Sequence, residues 1–286
     1  MLPVAFARGQ PPMHLSALYI YPVKSLRGCP LATCEVDALG LAGDRRLMVV
    51  DETGRFLTQR VLPKMALIET AIAGSHVTLS LPQSGAVHVS IAPDATAPVR
   101  AVTVWSSSGL EAEDCGDPAA EWLSSALSVR CRLVRIGARF RRPVAPAERA
   151  LTHDLVSFAD AHPFLLLGES SLGDLNDRLR ARGGESMDFA RFRPNLVFSG
   201  GAAYDEDRWT RFRIGNVIFR ASGPCARCTI TTTDPQTGDR GVEPLRTLAE
   251  YRRNPSESSE VCFGQNVGHE TKTGTVRVGD RVERLE

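Results

Sequence analysis

The chain has 286 residues, of which 43% are hydrophobic and 23% charged, and its formal net charge at pH 7 is +1. That length allows one large domain or two of roughly 130 to 150 residues with full cores. The near-neutral balance excludes recruitment of nucleic acid or an anionic membrane by an overall field, so anion binding has to come from local clusters.

Residues 1–13 lack an apolar stretch of signal-peptide length and read as a disordered tail. No run approaches the ~20 apolar residues that a membrane helix needs. A cytoplasmic protein is expected, with no membrane and no nucleic-acid partner. Strands are expected at Leu15 to Val23, Arg45 to Val50, Val77 to Leu81, Val87 to Ile91, Val99 to Trp105 and Val129 to Ile136. Asp51-Glu52-Thr53-Gly54 reads as a hairpin turn. A helix over Pro118 to Leu127 gathers Trp122, Leu123, Ala126 and Leu127 on one face, with Asp117 as its cap. The basic, Pro-containing stretch Gly137 to Arg149 reads as a linker between a first domain over 14–136 and a second over 150–286.

The second half opens with a buried strand at Phe164 to Leu167. A helix over Ser171 to Arg180 follows, with Ser171 as cap and Leu172, Leu175 and Leu179 at helical spacing. Strands at Asn195 to Ser199, Phe212 to Arg220, Cys228 to Thr233 and Thr275 to Val278, and a short helix at Pro244 to Arg252, complete a fold that is mostly β with a few helices (α+β).

No P-loop, dinucleotide-binding, zinc-protease or nucleophile-elbow signature is present. Seven cysteines, an odd number in a long chain, argue against a disulfide framework. The strongest local signal is Cys225-Ala226-Arg227-Cys228. Zinc would want a second ligand pair, a thioredoxin-type dithiol a helix N-terminus, and an iron–sulfur cluster four thiolates. Two packed core thiols, or a soft metal taking one thiolate with its other sulfurs from a cofactor, remain open. Around this motif stand Lys24 and Ser25 in Tyr21-Pro22-Val23-Lys24-Ser25, Arg45 in Gly43-Asp44-Arg45-Arg46, and Arg193 and Asn195 in Arg191-Phe192-Arg193-Pro194-Asn195. Ser170 and Ser171 lie at a helix start. A fork donor, a point charge, hydroxyls and amides are what a phosphate needs.

Together with Phe263-Gly264-Gln265-Asn266, Phe158-Ala159-Asp160 and Ser171-Leu172-x-Asp174-Leu175-Asn176, these motifs resemble the MOSC family, over roughly Leu15 to Val282. The chain is similar to its two-domain branch, which includes the mitochondrial amidoxime-reducing component and bacterial relatives. The resemblance implies a β-barrel-like N-terminal domain, a β-rich MOSC domain and the molybdenum cofactor (Mo-molybdopterin) held between them. It implies Cys228 as metal ligand, and Lys24, Ser25, Arg45, Ser171, Arg193, Asn195 and Arg227 at the pterin and phosphate. Ser170, Thr58 and Cys225 are expected as weaker neighbours, and Arg227 as the group that tunes charge at the metal.

The expected activity is reduction of N-hydroxylated compounds (amidoximes, hydroxylamines, N-hydroxy bases) to amines. With no further cysteine cluster before Glu286, electrons are expected from a separate protein: a ferredoxin, a flavoprotein or a cytochrome. Asp234 and Glu169 are the carboxylates nearest in sequence for an acid role, and His153 and His269 are the histidines left open. A cofactor or sulfur carrier, and a structural module with zinc, are the competing readings.

Overall fold

The computed structural model describes residues 12–144, 150 and 154–286. His153, most of the 1–13 tail and the end of the 137–149 stretch lie outside them. In chain order the first half carries β1 (His14–Ile20), β2 (Cys29–Leu31), β3 (Thr33–Asp37), β4 (Gly40–Leu41), β5 (Leu47–Val50), β6 (Glu69–Ala73), β7 (His76–Ser80), β8 (Ala86–Ser90), β9 (Val99–Val104) and β10 (Ser107–Asp114). Helix α1 (Asp117–Leu127) and β11 (Arg132–Ile136) close it. The second half carries β12 (Phe164–Gly168), α2 (Glu169–Arg180), β13 (Leu196–Ser199), β14 (Arg211–Ile214), β15 (Val217–Ala226), α3 (Leu245–Leu248), β16 (Cys262–His269), β17 (Gly274–Arg277) and β18 (Val282–Arg284).

Strand β5 shows why these runs are strands. Leu47 and Val49 pack in one hydrophobic cluster while Met48 and Val50 pack in another, the period-2 alternation of a strand covered on both faces. α1 presses Ala119, Leu123, Ala126 and Leu127 into the first of these clusters. α2 buries Leu172, Leu175 and Leu179, each contributing roughly 2 kcal/mol of apolar transfer.

The sheets cut across the expected division of the chain. The largest runs β18-β14-β15-β16-β12-β13-β1-β2, so the first two strands complete a sheet made by the second half. β1 pairs antiparallel with β13, and β3 pairs with β17.

Three local expectations give way. Cys228 to Thr233 is not a strand: residues 229–232 form a 3-10 turn with Cys228 at its N-cap, since Thr231 returns both N–H and Oγ1 to the Cys228 carbonyl. Phe212 to Arg220 is two strands, folded back at Gly215, whose φ is +55°. The helix at Pro244 to Arg252 shrinks to Leu245–Leu248. Caps differ too: Gly116 and Gly168 precede α1 and α2, with no side-chain cap at either.

Candidate active site

Segments from both halves meet around a cavity of about 290 Å³. The turn after β1 brings Lys24 and Ser25, the turn after β4 brings Arg45, and the loop before β12 brings Asp160. The approach to β13 supplies Arg193 and Asn195, and the end of β15 supplies Cys225, Arg227 and Cys228. β15 reaches this point through two register shifts against β16, flanking Ala221/Gly223 and Pro224/Ala226, which re-aim its last residues. Ser25, Arg45 and Arg193 have left-handed backbones, at φ +67°, +48° and +58°. Such conformations cost non-glycine residues energy and gather where a site is held in place by its surroundings.

Tyr21 is the anchor of one wall. Its ring is sandwiched between the guanidiniums of Arg45 and Arg193, at 4.3 and 4.1 Å from the centroid. Its hydroxyl donates to the Pro194 carbonyl at 3.1 Å. Arg45 Nη1 donates to both Asp44 oxygens, at 2.9 and 2.7 Å, and to Asn195 Oδ1 at 3.0 Å. Asn195 also accepts from the Leu165 N–H and donates to the Tyr19 carbonyl, both at 3.2 Å, so it acts as a brace between strands. Arg193 donates to the Leu26 carbonyl at 2.7 Å, and burial pulls its guanidinium pKa down to about 10.

The opposite wall is a chain of charges. Lys24 is buried and donates to the Phe158 carbonyl at 2.8 Å and to Asp160. Desolvation lowers its pKa to about 8 against the pull of Asp160. Burial works to raise the Asp160 carboxyl, but Lys24 and Arg60 hold it well below the usual carboxylate range. Arg60 bridges the carboxylate to the thiol: Nη2 donates to Asp160 Oδ2 at 3.2 Å and to Cys228 Sγ at 3.0 Å. Arg142 pins the loop from beneath through the Ser157, Ala159 and Asp160 carbonyls.

Lys24, Ser25, Arg45, Arg193, Asn195, Arg227 and Cys228 are therefore brought together as lining residues, with Cys225 beside them. Ser170 and Ser171 are not. Ser171 is fully buried and donates to Glu206 Oε2 at 2.9 Å, while Glu206 Oε1 accepts the Gly168 N–H at 3.2 Å. An internal carboxylate thus already sits on this helix N-terminus, where a ligand phosphate was expected. Ser170 donates to the Gly201 carbonyl at 2.6 Å, away from the cavity.

The guanidinium on Cys228 is that of Arg60, whereas Arg227 donates to Cys225 Sγ at 3.0 Å and to the Phe192 carbonyl. Thr58 stands behind the wall, accepting the Arg60 N–H at 3.1 Å. Asp234 is paired with Arg191 at 2.7 Å, and Glu169 lies outside the cavity lining. His269 is fully buried against Phe164. Arg60 and Asp160 are the functional side chains that sequence reasoning left unassigned. Asp160 stood in a recognised motif, but Arg60 lies in a loop with no periodic or spacing signal.

Among the described residues no group of three or more His, Cys, Asp or Glu side chains is placed to hold a metal. Five cations (Lys24, Arg45, Arg60, Arg193 and Arg227) line the cavity against one lining carboxylate, Asp160. Two of their donors, Arg60 Nη1 and Arg227 Nε, are buried without a hydrogen-bond partner. Such atoms are rare in native proteins and call for a ligand or water. The arrangement suits an anionic ligand that brings its own metal donors.

The chain matches the MOSC N-terminal beta barrel domain over residues 13–130 and the MOSC domain over residues 153–283. It is 39% identical to mitochondrial amidoxime-reducing component 1 of Mus musculus and 38% identical to that of Homo sapiens. Each alignment covers 95% of this chain and 82% of the relative. A molybdenum cofactor sulfurase of Arabidopsis thaliana is 33% identical over 91% of this chain, which spans 33% of that longer protein. With both domains matched in order and such relatives aligned over most of their length, the chain belongs to the two-domain MOSC family that includes the mitochondrial amidoxime-reducing components.

Proposed function

We propose that this protein is a molybdenum-cofactor-dependent oxidoreductase that reduces N-hydroxylated compounds (amidoximes, hydroxylamines, N-hydroxy bases) to amines. Cys228 is its ligand to the metal, and a separate redox protein of ferredoxin, flavoprotein or cytochrome type delivers the electrons. The observation that carries the reading is the donor set of the cavity: two thiols, of which Cys228 sits on Arg60 and Cys225 on Arg227, no metal-ligating cluster of three or more among the described residues, and an excess of cations with unpartnered N–H groups. A metal bound there takes most of its donors from its own ligand, and that ligand is anionic; a phosphorylated pterin dithiolene meets both conditions.

Lys24, Ser25, Arg45, Arg193, Arg227 and Cys228 would hold the group, with Asn195 orienting Arg45. When bound, the cofactor supplies two-electron oxygen-atom transfer, and the chain supplies position and field. Reduction of an N–O bond to an amine and water takes up protons as well as electrons. Asp160, kept ionised by its two cations, does not deliver them near neutral pH, whereas Lys24 holds a proton at Nζ there.

A carrier of the cofactor or of sulfur is the second reading. It is favoured by the guanidinium found on each thiol, Arg227 on Cys225 and Arg60 on Cys228, since those N–H groups can donate to the outer sulfur of a persulfide. Expression in a molybdenum-replete host, with metal analysis and benzamidoxime turnover on an artificial electron donor, separates the two. Near-stoichiometric molybdenum in the wild type, with turnover reduced at least ~100-fold in Cys228→Ser, is expected for the reductase. Molybdenum or a persulfide without turnover supports the carrier; zinc alone, or neither metal nor persulfide, defeats both.

A further inference from the structure

Beside the cavity an exposed tryptophan stands at the tip of a hairpin. Trp105 is the first residue of the two-residue turn between the paired Val104 and Ser107, and its φ of +56° is what such a hairpin turn calls for. The residue is 46% exposed, so burial does not hold its indole in place. Three contacts do: Nε1–H donates to Asp160 Oδ1 at 3.2 Å, the Arg60 guanidinium lies 4.7 Å from the ring centroid, and Phe56 packs edge-on at 5.1 Å.

The same Arg60 donates to Cys228 Sγ at 3.0 Å, so one guanidinium separates the indole from the thiol. Trp105 and Phe56 also line a second cavity of about 560 Å³, with Arg55, Thr53, Thr103 and Ser106 around them. This is within the size range of small-molecule sites. Arg60 lines the first cavity and Trp105 the second, and the two cavities adjoin where the guanidinium lies against the indole.

We infer that Trp105, backed by Phe56, is a specificity-determining shelf. The planar apolar part of an aromatic N-hydroxylated substrate lies against it while the N–O group reaches the Cys228 end of the first cavity. The inference rests on the reductase reading above. An aromatic ring gains offset or edge-on packing and loses wet apolar surface at such a shelf. Hydroxylamine has no apolar surface and gains nothing there, so the shelf sets the preference between the two.

The test compares Trp105→Ala, which removes the shelf, with Trp105→Phe, which keeps an aromatic face but loses the N–H to Asp160. The quantity read is the ratio of KM for benzamidoxime to KM for hydroxylamine, in molybdenum-loaded protein with an artificial donor. The alanine variant is expected to raise this ratio about tenfold or more, the scale of losing apolar contacts in a binding pocket; the phenylalanine variant should stay within about threefold of wild type. An unchanged ratio in Trp105→Ala, or equal shifts in both variants, overturns the shelf and leaves the residue as a prop for Asp160.

A second measurement needs neither turnover nor the alanine variant. Of the three tryptophans, Trp209 is buried, Trp122 is tied to the Ser84 carbonyl outside both cavity linings, and Trp105 is half exposed beside them, so benzamidoxime should quench the wild-type fluorescence saturably and Trp105→Phe should abolish that quench. If the wild type reduces neither compound, the reductase reading fails by itself. The quench then decides the shelf: its presence upholds aromatic binding at Trp105, and its absence overturns it.

Discussion

Two clusters of arginines in this molecule obey opposite rules. At the end of β10, Asp114 is buried and takes Arg100 and Arg132 on its carboxylate; Arg132 reaches on to Asp117 at 2.8 Å. Next to it Arg135 pairs with Glu113 at 2.8 Å and with Asp94 at 3.3 Å. Every one of these guanidiniums meets a carboxylate, and the cluster ties β9, β10, β11 and the start of α1 together. Around the cavity, Lys24, Arg60 and Arg45 share two carboxylates, while Arg193 and Arg227 bond only carbonyls, a thiol and aromatic faces. Paired arginines are part of the scaffold. A surplus of buried cations costs the folded chain desolvation, and it becomes favourable when an anion arrives.

That contrast breaks most directly at Arg193. Arg193→Met keeps the apolar stem and removes a charge that burial already disfavours. Cofactor retention after gel filtration should fall roughly 30- to 150-fold, the worth of one charge-assisted bond of ~2–3 kcal/mol. The melting temperature of cofactor-free protein should hold or rise. A large drop in that melting temperature would place Arg193 with the scaffold instead.

Asp114→Asn is the mirror experiment. It leaves Arg100 and Arg132 facing a neutral amide, and both are partly exposed, so water recovers part of the loss. About 2 kcal/mol of stability should disappear in denaturant unfolding, with cofactor retention unchanged.

His269 sharpens the contrast with a third solution, a buried base kept neutral. Its Nε2 meets the Asp37 carbonyl at 2.7 Å, and burial lowers its pKa to about 4 despite that contact. The unfolded imidazole protonates near 6.5. Stability therefore falls as pH drops from about 6.5 to about 4, because only the unfolded chain takes the proton in that window. The loss from this group should reach about 1–2 kcal/mol by pH 5, and His269→Gln should flatten that part of the stability profile. An unchanged profile would mean that the ring is already protonated in the fold.

Much of the scaffold was legible in the residues. The β-branched runs at 77–81, 87–91 and 99–105, and the leucine spacing of α2, lie within a residue or two of the elements they became. Turn residues carried the cation set, because Lys24, Arg45 and Arg193 stand in short motifs just outside strands. Cys228 to Thr233 misled, since a β-branched run reads as a strand until its threonines bond back to the Cys228 carbonyl. Ser170 and Ser171 misled for a longer-range reason: the carboxylate that occupies their helix end belongs to Glu206, 35 positions beyond Ser171.

Sequence by itself determined the fold class, the family and the thiol with its basic neighbours, because periodicity and short motifs are local properties of the chain. Only the tertiary structure decided which guanidinium meets which sulfur, that β1 completes a sheet of the second half, and that Arg60, Asp160 and Trp105 build one wall. Arg60 meets Asp160 and Cys228 across 100 and 168 positions and Trp105 meets Asp160 across 55, and these partners are chosen by how buried charge is shared between converging segments rather than by any pattern along the chain.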